Sequence, residues 1–535
     1  MPKTKTQLLN SLRRVFRMSE LLNQDKGRSA QELVDIFYEK QAEQHSHNLS
    51  RRRFLSETAK AAVAVSFSGL LSECKSLSGG SSSRTAPKIA IIGAGIAGLT
   101  AAYYLKKSGY TATVYEASQR VGGRMYSAKD KLGNGLVSEI GGEFIDSSHE
   151  DLWRLANDLG LERLDTYEDW TSAKLLPTIY CYKNAIYSEA HAIVEFANIS
   201  AKIQNHINAL PDTINYTTEG VAKAFDRISI DEYFQKIGFN GWLSEIIKAA
   251  YIGEYGLETG EQSALNFLTL IGTQTPNAQI ELFGESDERY KIRGGNEQIP
   301  ALLAEKIKSQ INYGQSLTAI RPRGKGYTLV FNEKKEQFAD IVIMAIPFTV
   351  LRQIDTSMLA IPDLKRKSIE QLGYGSNTKL ILGTNSRIWR EKGYAGALYN
   401  ESLHTAWDSS QGQNNNQGYG SYTMFWGGLH AENATKESWS QYMSPLNAAF
   451  GDFRSILNGK SEFFSWKKHP FSQGSYTCYR INQWTSIGSV EAMPVGNLLF
   501  AGEHCSPSSQ GFMNGGAESG RIAAEYICKQ LQGIV

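Results

Sequence analysis

The chain has 535 residues, 41% hydrophobic and 21% charged, and its 56 basic and 54 acidic side chains leave a net charge of +2. That length allows two or three domain-sized cores, and the charge balance gives no footprint for nucleic acid or an anionic membrane surface. Five cysteines (Cys74, Cys181, Cys478, Cys505, Cys528) with no CxxC spacing argue against a disulfide scaffold or any metal site, and no apolar run is long enough for a membrane-spanning helix.

Ser50-Arg51-Arg52-Arg53-Phe54-Leu55 is followed by a mildly apolar run from Ala61 to Leu71 and a small, polar stretch from Ser76 to Ser83. Basic, apolar and small segments in that order read as an export signal. The Ser-Arg-Arg-x-Phe-Leu core resembles the twin-arginine signal, which carries proteins already folded around a cofactor. Residues 1–83 are therefore expected to be leader and linker outside the fold, with the signal near 50–71, Met18 an alternative start, and a periplasmic or extracellular destination. A basic segment leading into an amphipathic helix is the competing reading. Leu71-Ser72-Glu73-Cys74 resembles a lipoprotein cleavage box, but Glu73 stands where a small residue is expected, which argues against lipid attachment at Cys74.

The next segment carries a nucleotide signature. Ile89–Ile92 is a β-branched run suited to a buried parallel strand. Gly93, Gly95 and Gly98 then form GxGxxG, with Ile96 and Ala97 inside it and helical composition from Leu99 to Lys107. Gly93 permits the tight turn, Gly95 lets backbone amides reach a pyrophosphate, and Gly98 lets helix and strand pack closely. A second strand, Thr111–Tyr115, ends at Glu116-Ala117, where the carboxylate can accept ribose hydroxyls and would repel a 2′-phosphate.

Four further stretches follow. They are Arg120-Val121-Gly122-Gly123-Arg124, Glu139-Ile140-Gly141-Gly142, Ala339–Pro347, and Asn497–Glu503 with Gly511–Arg521. Together with the first motif, and in this order, they resemble the flavin-containing amine oxidases, a family that includes monoamine oxidases and L-amino acid oxidases. The resemblance covers nearly everything after residue 84 and implies FAD rather than NAD. It places Gly123 and Arg124 against phosphate or ribityl oxygens, and passes Gly141, Gly142, Glu143 and Phe144 by the flavin face. It sets Gly502 and Glu503 at the ribityl chain, and brings the last helix, running from Met513 to about Gln530, to the flavin N1/O2 edge. The expected fold is α/β, with a Rossmann-like FAD-binding domain assembled from 84–150, 281–350 and 470–535. A mixed α+β substrate lobe is expected from 151–280, mostly helical in pattern, and 351–469.

The resemblance also implies the reacting groups. Lys379 matches the lysine placed under flavin N5 through a water. Trp466 and Gly474-Ser475-Tyr476 match the tryptophan and the flavin-proximal turn. Ser475 stands where monoamine oxidases carry a covalently linked cysteine, so FAD is expected to be non-covalent, with Cys478 two residues out of register. Tyr476 and Phe512 match the aromatic pair flanking the substrate amine, where two ring faces can orient it. No acid–base triad is required, because the cofactor is the electron sink.

The expected reaction is oxidative deamination of an L-amino acid or primary amine by O2, giving peroxide, ammonia and a carbonyl product. Many L-amino acid oxidases have an arginine soon after the Gly-Gly turn to fork a carboxylate, but here Glu143-Phe144-Ile145-Asp146 follows. Either the substrate lacks a carboxylate, or an arginine elsewhere, such as Arg387, supplies the contact. Glu143 and Asp146 could instead favour a second cationic group, as in a diamine, or be solvated loop charges, the reading preferred for Asp146. The export signal tips the balance narrowly toward an L-amino acid oxidase. A flavin desaturase or isomerase of the same fold is the reading from another class, and a homodimer is left open.

Overall fold

The computed structural model describes residues 7–24, 27–39, 86–271, 287–413 and 418–533. The arginine-rich segment at 50–55, the apolar run after it and Cys74 lie outside these residues.

Two sheets organise the molecule. The first has five strands in the order Leu498–Phe500, Ile341–Met344, Ile89–Ile92, Ala112–Tyr115, Ile311–Asn312. All its pairings are parallel. Ile89–Ile92 and Ile341–Met344 are buried at every position, as a parallel strand covered on both faces must be. Helices Ile96–Lys107 and Met513–Leu531 share its buried core, so opposite ends of the chain pack together.

The second sheet has seven strands in the order Leu457–Ser465, Asn377–Thr384, Gly420–Gly427, His404–Asp408, Tyr394–Asn400, Leu176–Tyr182, Ala185–Tyr187. The last two come from the stretch expected to be mostly helical, which also supplies helices such as Glu189–Asn208 and Trp242–Tyr255. Asn377–Thr384 is paired on both edges and buried along its whole length. That strand carries Lys379.

The N-terminus departs from the expectation of a leader outside the fold. Gln7–Gln24 is a helix, and residues 30–39 form a second one. Ser29 opens the second with reciprocal bonds to Glu32, 2.7 Å from the Ser29 amide to the carboxylate and 3.2 Å from the Glu32 amide to the hydroxyl. Leu12, Val15, Phe16 and Met18 are buried in the same core as Phe196, Ile199 and Ile203 of Glu189–Asn208. Arg14 pairs with Glu189, and Asn23 donates to the Ala197 carbonyl at 2.7 Å. Helical spacing of Leu12, Val15 and Phe16 makes one apolar face, whereas a reading based on charge registers only the arginines beside it.

Candidate active site

A cavity of about 400 Å³ lies where the two lobes meet, and both contribute to its walls. At one end, helix Ile96–Lys107 starts from Gly95 with no side-chain cap, and Gly95, Ile96 and Ala97 line the space. Helix Met513–Leu531 starts from Phe512, also without a side-chain cap, and Phe512 and Met513 line the same space. Two helix N-termini with orphan amides and partial positive charge therefore open into one cavity. A Cβ on Gly95 would meet nothing nearer than the Gly123 Cα at 4.0 Å, so the floor there stays open for a phosphate. Gly98 does not line the cavity; a Cβ there would sit 2.0 Å from the Gly93 carbonyl oxygen, and its role is close helix–strand packing.

Glu116 lines the cavity with Ala117. Its carboxylate accepts from the Ala94 amide at 2.7 Å and the Ser118 amide at 2.8 Å, which fixes it beside the first turn with lone pairs remaining for hydroxyl donors. Arg124 donates to Glu503 at 2.9 Å and to the Ser475 carbonyl at 2.7 Å, joining the second glycine motif to the C-terminal one. Glu503 also accepts from Thr477 at 2.5 Å. This set fits the dinucleotide and ribityl parts of a flavin cofactor: Gly93–Ala97 for phosphate, Glu116 for ribose, and Arg124 and Glu503 for the ribityl chain.

Phe144, Trp407, Phe425, Tyr476 and Phe512 give the same cavity an aromatic wall. Tyr476 is held there because its segment pairs with Gly373–Ser376. The Gly375 amide donates to the Tyr476 carbonyl at 2.8 Å, and the Ser475 amide to the Gly375 carbonyl at 2.9 Å. Burial, with Glu254 and Glu288 nearby, pushes the Tyr476 phenol well above its ordinary value, so it presents a neutral hydroxyl. Phe512 is backed by His149, edge-on at 4.9 Å. Ser475 lines the cavity and donates to the Asn377 side chain at 2.5 Å, while Trp466 lines it and donates to the Ile140 carbonyl at 3.2 Å. Cys478 is packed in the helical core, with Asn266 donating to its sulfur at 3.4 Å.

Lys379 also lines the cavity. Its ammonium donates to the Glu139 and Gly141 carbonyls, each at 3.0 Å, and to Glu143 Oε2 at 2.8 Å. Glu143 Oε1 in turn accepts from Lys291 at 2.6 Å and from the Trp407 indole at 2.9 Å. Burial alone would raise the Glu143 carboxyl, but Lys291 and Lys379 override it and bring it down to about 2. Both glutamate oxygens are thus occupied. Removing one partner from a buried pair of this kind costs about 3–5 kcal/mol, because the other charge is left uncompensated.

Gly123, Gly141, Gly142 and Gly502, also proposed from sequence, line this cavity, whereas Gly474 of the flavin-proximal turn does not. The substrate-side expectations need correction. Glu143 is no acceptor for a second substrate cation, since two lysines and an indole already hold it. Asp146 is not a solvated loop charge: it is fully buried and accepts from the Glu288 amide at 2.8 Å. Arg387 is not a carboxylate fork, because Asp408 binds it at 2.7 Å and Asp169 at 3.3 Å, away from the cavity wall. Lys291 and Trp407 were not singled out from sequence. The signal for Lys291 is indirect, since an ionisable residue within a buried run requires a partner. Among the described residues no helix is long and apolar enough to cross a membrane, and no cluster of His, Cys, Asp or Glu is suited to a metal.

With this geometry established, comparison with known proteins defines the class. Residues 96–528 match the family model for flavin containing amine oxidoreductase, and the chain belongs to that family. YobN of Bacillus subtilis (strain 168), whose name provisionally assigns it as an L-amino-acid oxidase, is 25% identical over 480 residues, covering 84% of this chain and 97% of YobN. The flavin-containing amine oxidase B of Canis lupus familiaris is 24% identical over 458 residues, 82% of this chain and 85% of the relative. In fold, the chain is similar to cyclohexylamine oxidase from Brevibacterium oxydans IH-35A, with a TM-score of 0.72, 21% identity, and coverage of 84% of this chain and 100% of that one. It is also similar to a putrescine oxidase solved with putrescine, with a TM-score of 0.68, 18% identity, and coverage of 82% and 98%.

Proposed function

We propose that this protein is an FAD-dependent oxidase that converts a primary amine, O2 and water into a carbonyl compound, ammonia and hydrogen peroxide. Bound FAD would supply the hydride acceptor and the redox link to O2. The chain's own residues do the rest. Tyr476 and Phe512 orient the amine so that its α-carbon can approach the cofactor, the aromatic wall excludes water, and Lys379 holds a proton-bearing cation at the cavity wall.

One observation carries the choice of an amine over an amino acid. Among the described residues two arginines, Arg120 and Arg124, line the cavity, and both are already held by other groups. Arg120 is held by the Val121, Gly123 and Met125 carbonyls, and Arg124 by Glu503 and Ser475. The similarity to YobN supports the second reading, an L-amino acid oxidase. A peroxide assay over primary amines, diamines and L-amino acids decides between them. Turnover is expected with apolar primary amines, turnover confined to L-amino acids would establish the second reading, and silence with all three would refute both.

Two further statements belong to this proposal. FAD is bound without a covalent link, supported by Ser475 at the cavity and Cys478 away from it; acid precipitation should leave the flavin in the supernatant, and a yellow pellet would refute this. Export through the arginine-rich segment at 50–55 is supported by its sequence order alone. Arg51 and Arg52 changed to Lys should retain the protein in the cytoplasm, and unaltered export would refute the assignment.

A further inference from the structure

We propose that Glu143, anchored by Lys291 and Trp407, is the positioning residue that fixes the Lys379 ammonium at the cavity wall. A lysine side chain is a flexible stem with a compact point charge, and three acceptors saturate it. Two of those acceptors are carbonyls of the Glu139–Gly141 turn, and Glu143 is the only charged one. Glu143 is itself anchored through Oε1 by groups from two other strands, Lys291 on Tyr290–Ile292 and Trp407 on His404–Asp408, which leaves Oε2 for Lys379. The ring centroids of Trp407 and Phe425 lie 5.4 and 5.7 Å from the Lys379 nitrogen. Nearby, Glu139 is held by the Asn296 amide and by Ser127, and Glu288 is close enough to Glu143 to feel its charge. The carboxylate that Lys379 contacts is that of Glu143. The side chains of Lys291, Glu143 and Lys379 are all 6% exposed or less, so water does not replace the missing partner.

The proposal rests on the role given to Lys379 above, and the test separates the two. Acylation of lysines by acetic anhydride, read by peptide mass spectrometry on apoprotein and holoprotein, reports whether Lys379 is held. In the parent it should react far more slowly than Lys308, whose side chain is 77% exposed. Glu143→Gln should raise acylation of Lys379 at least tenfold and leave Lys308 unchanged. The second readout is reoxidation by O2 of flavin reduced with dithionite, which requires no substrate. Glu143→Gln should slow it at least tenfold, and Glu143→Gln combined with Lys379→Met should be no slower than Lys379→Met alone, because the two residues act as one unit.

If Glu143→Gln fails to fold, Lys291→Met and Trp407→Phe each remove one anchor and should raise Lys379 acylation about threefold. Unchanged Lys379 acylation in every folded variant would overturn the proposal. So would parent-rate reoxidation by Glu143→Gln when Lys379→Met is slow, or multiplicative slowing in the double variant. Parent-rate reoxidation by Lys379→Met would instead refute the role of Lys379, with the acylation result still deciding whether Glu143 holds it.

Discussion

Two glycines of one motif should fail in opposite ways. Gly98→Ala places a Cβ 2.0 Å from the Gly93 carbonyl oxygen, where ordinary contact begins at 3.4 Å, so helix and strand must part by about 1.4 Å. Overpacking of this kind costs about 1–3 kcal/mol, and the better helix propensity of alanine returns at most about 1. The melting temperature should fall by a few degrees whether or not FAD is present. Gly95→Ala has no such conflict. Its backbone, at φ −73° and ψ 177°, suits any residue, and its Cβ would have 4.0 Å to the nearest atom given for it. The new methyl group would instead point at the phosphates, so the apoprotein should melt as the parent does. FAD affinity should fall roughly 5- to 150-fold for the same 1–3 kcal/mol. Differential scanning fluorimetry and an FAD titration followed by flavin fluorescence measure both. Parent-like FAD affinity in Gly95→Ala would refute the phosphate-turn assignment, as would Gly98→Ala losing FAD with an unchanged melting temperature.

Three other outcomes follow from the same structure. Lys379→Met should slow turnover or flavin reoxidation at least tenfold, about 1.4 kcal/mol of barrier; a stopped-flow trace matching the parent would remove Lys379 from the reaction. Phe16→Ala should destabilise the protein by about 3–5 kcal/mol, because the ring is buried and packs edge-on against Phe196 at 5.2 Å; an unchanged denaturant midpoint would mean that the N-terminal helix is not part of the core. Burial raises the Glu491 carboxyl to about 7, with Tyr479 and then Lys365 only moderating it. Since the folded state holds this proton more tightly than the unfolded chain, Glu491 costs nothing below about 4.5 and destabilises progressively as pH rises toward 7, by at most about 3 kcal/mol. Glu491→Gln should remove that decline, so its melting temperature should gain on the parent between pH 5 and 7.5. A constant difference across that range would contradict it.

The parts legible in sequence are those whose chemistry is local. Gly93, Gly95 and Gly98 lie within six residues, and Glu116 follows at the end of the next strand, so a turn, a helix start and a carboxylate can be read together. Spatial assembly is less legible. Glu143 meets Lys291 across 148 positions and Trp407 across 264, and nothing near Glu143 shows that its charge is already occupied. Arg387 failed as a substrate contact for the same reason, its partners Asp408 and Asp169 being 21 and 218 positions away. The N-terminal helix was obscured because its apolar face is interleaved with Arg13 and Arg14, and the core that receives it, from Tyr180 and Glu189–Asn208 onward, lies more than 150 positions away.

The most direct measurement is an anaerobic titration of the purified, FAD-loaded protein with an apolar primary amine, followed by admission of oxygen. Bleaching of the yellow colour by the amine, then its return with one equivalent of peroxide, is the predicted result. A protein that stays colourless in the presence of FAD, or whose bound flavin no amine or amino acid bleaches, would contradict the account.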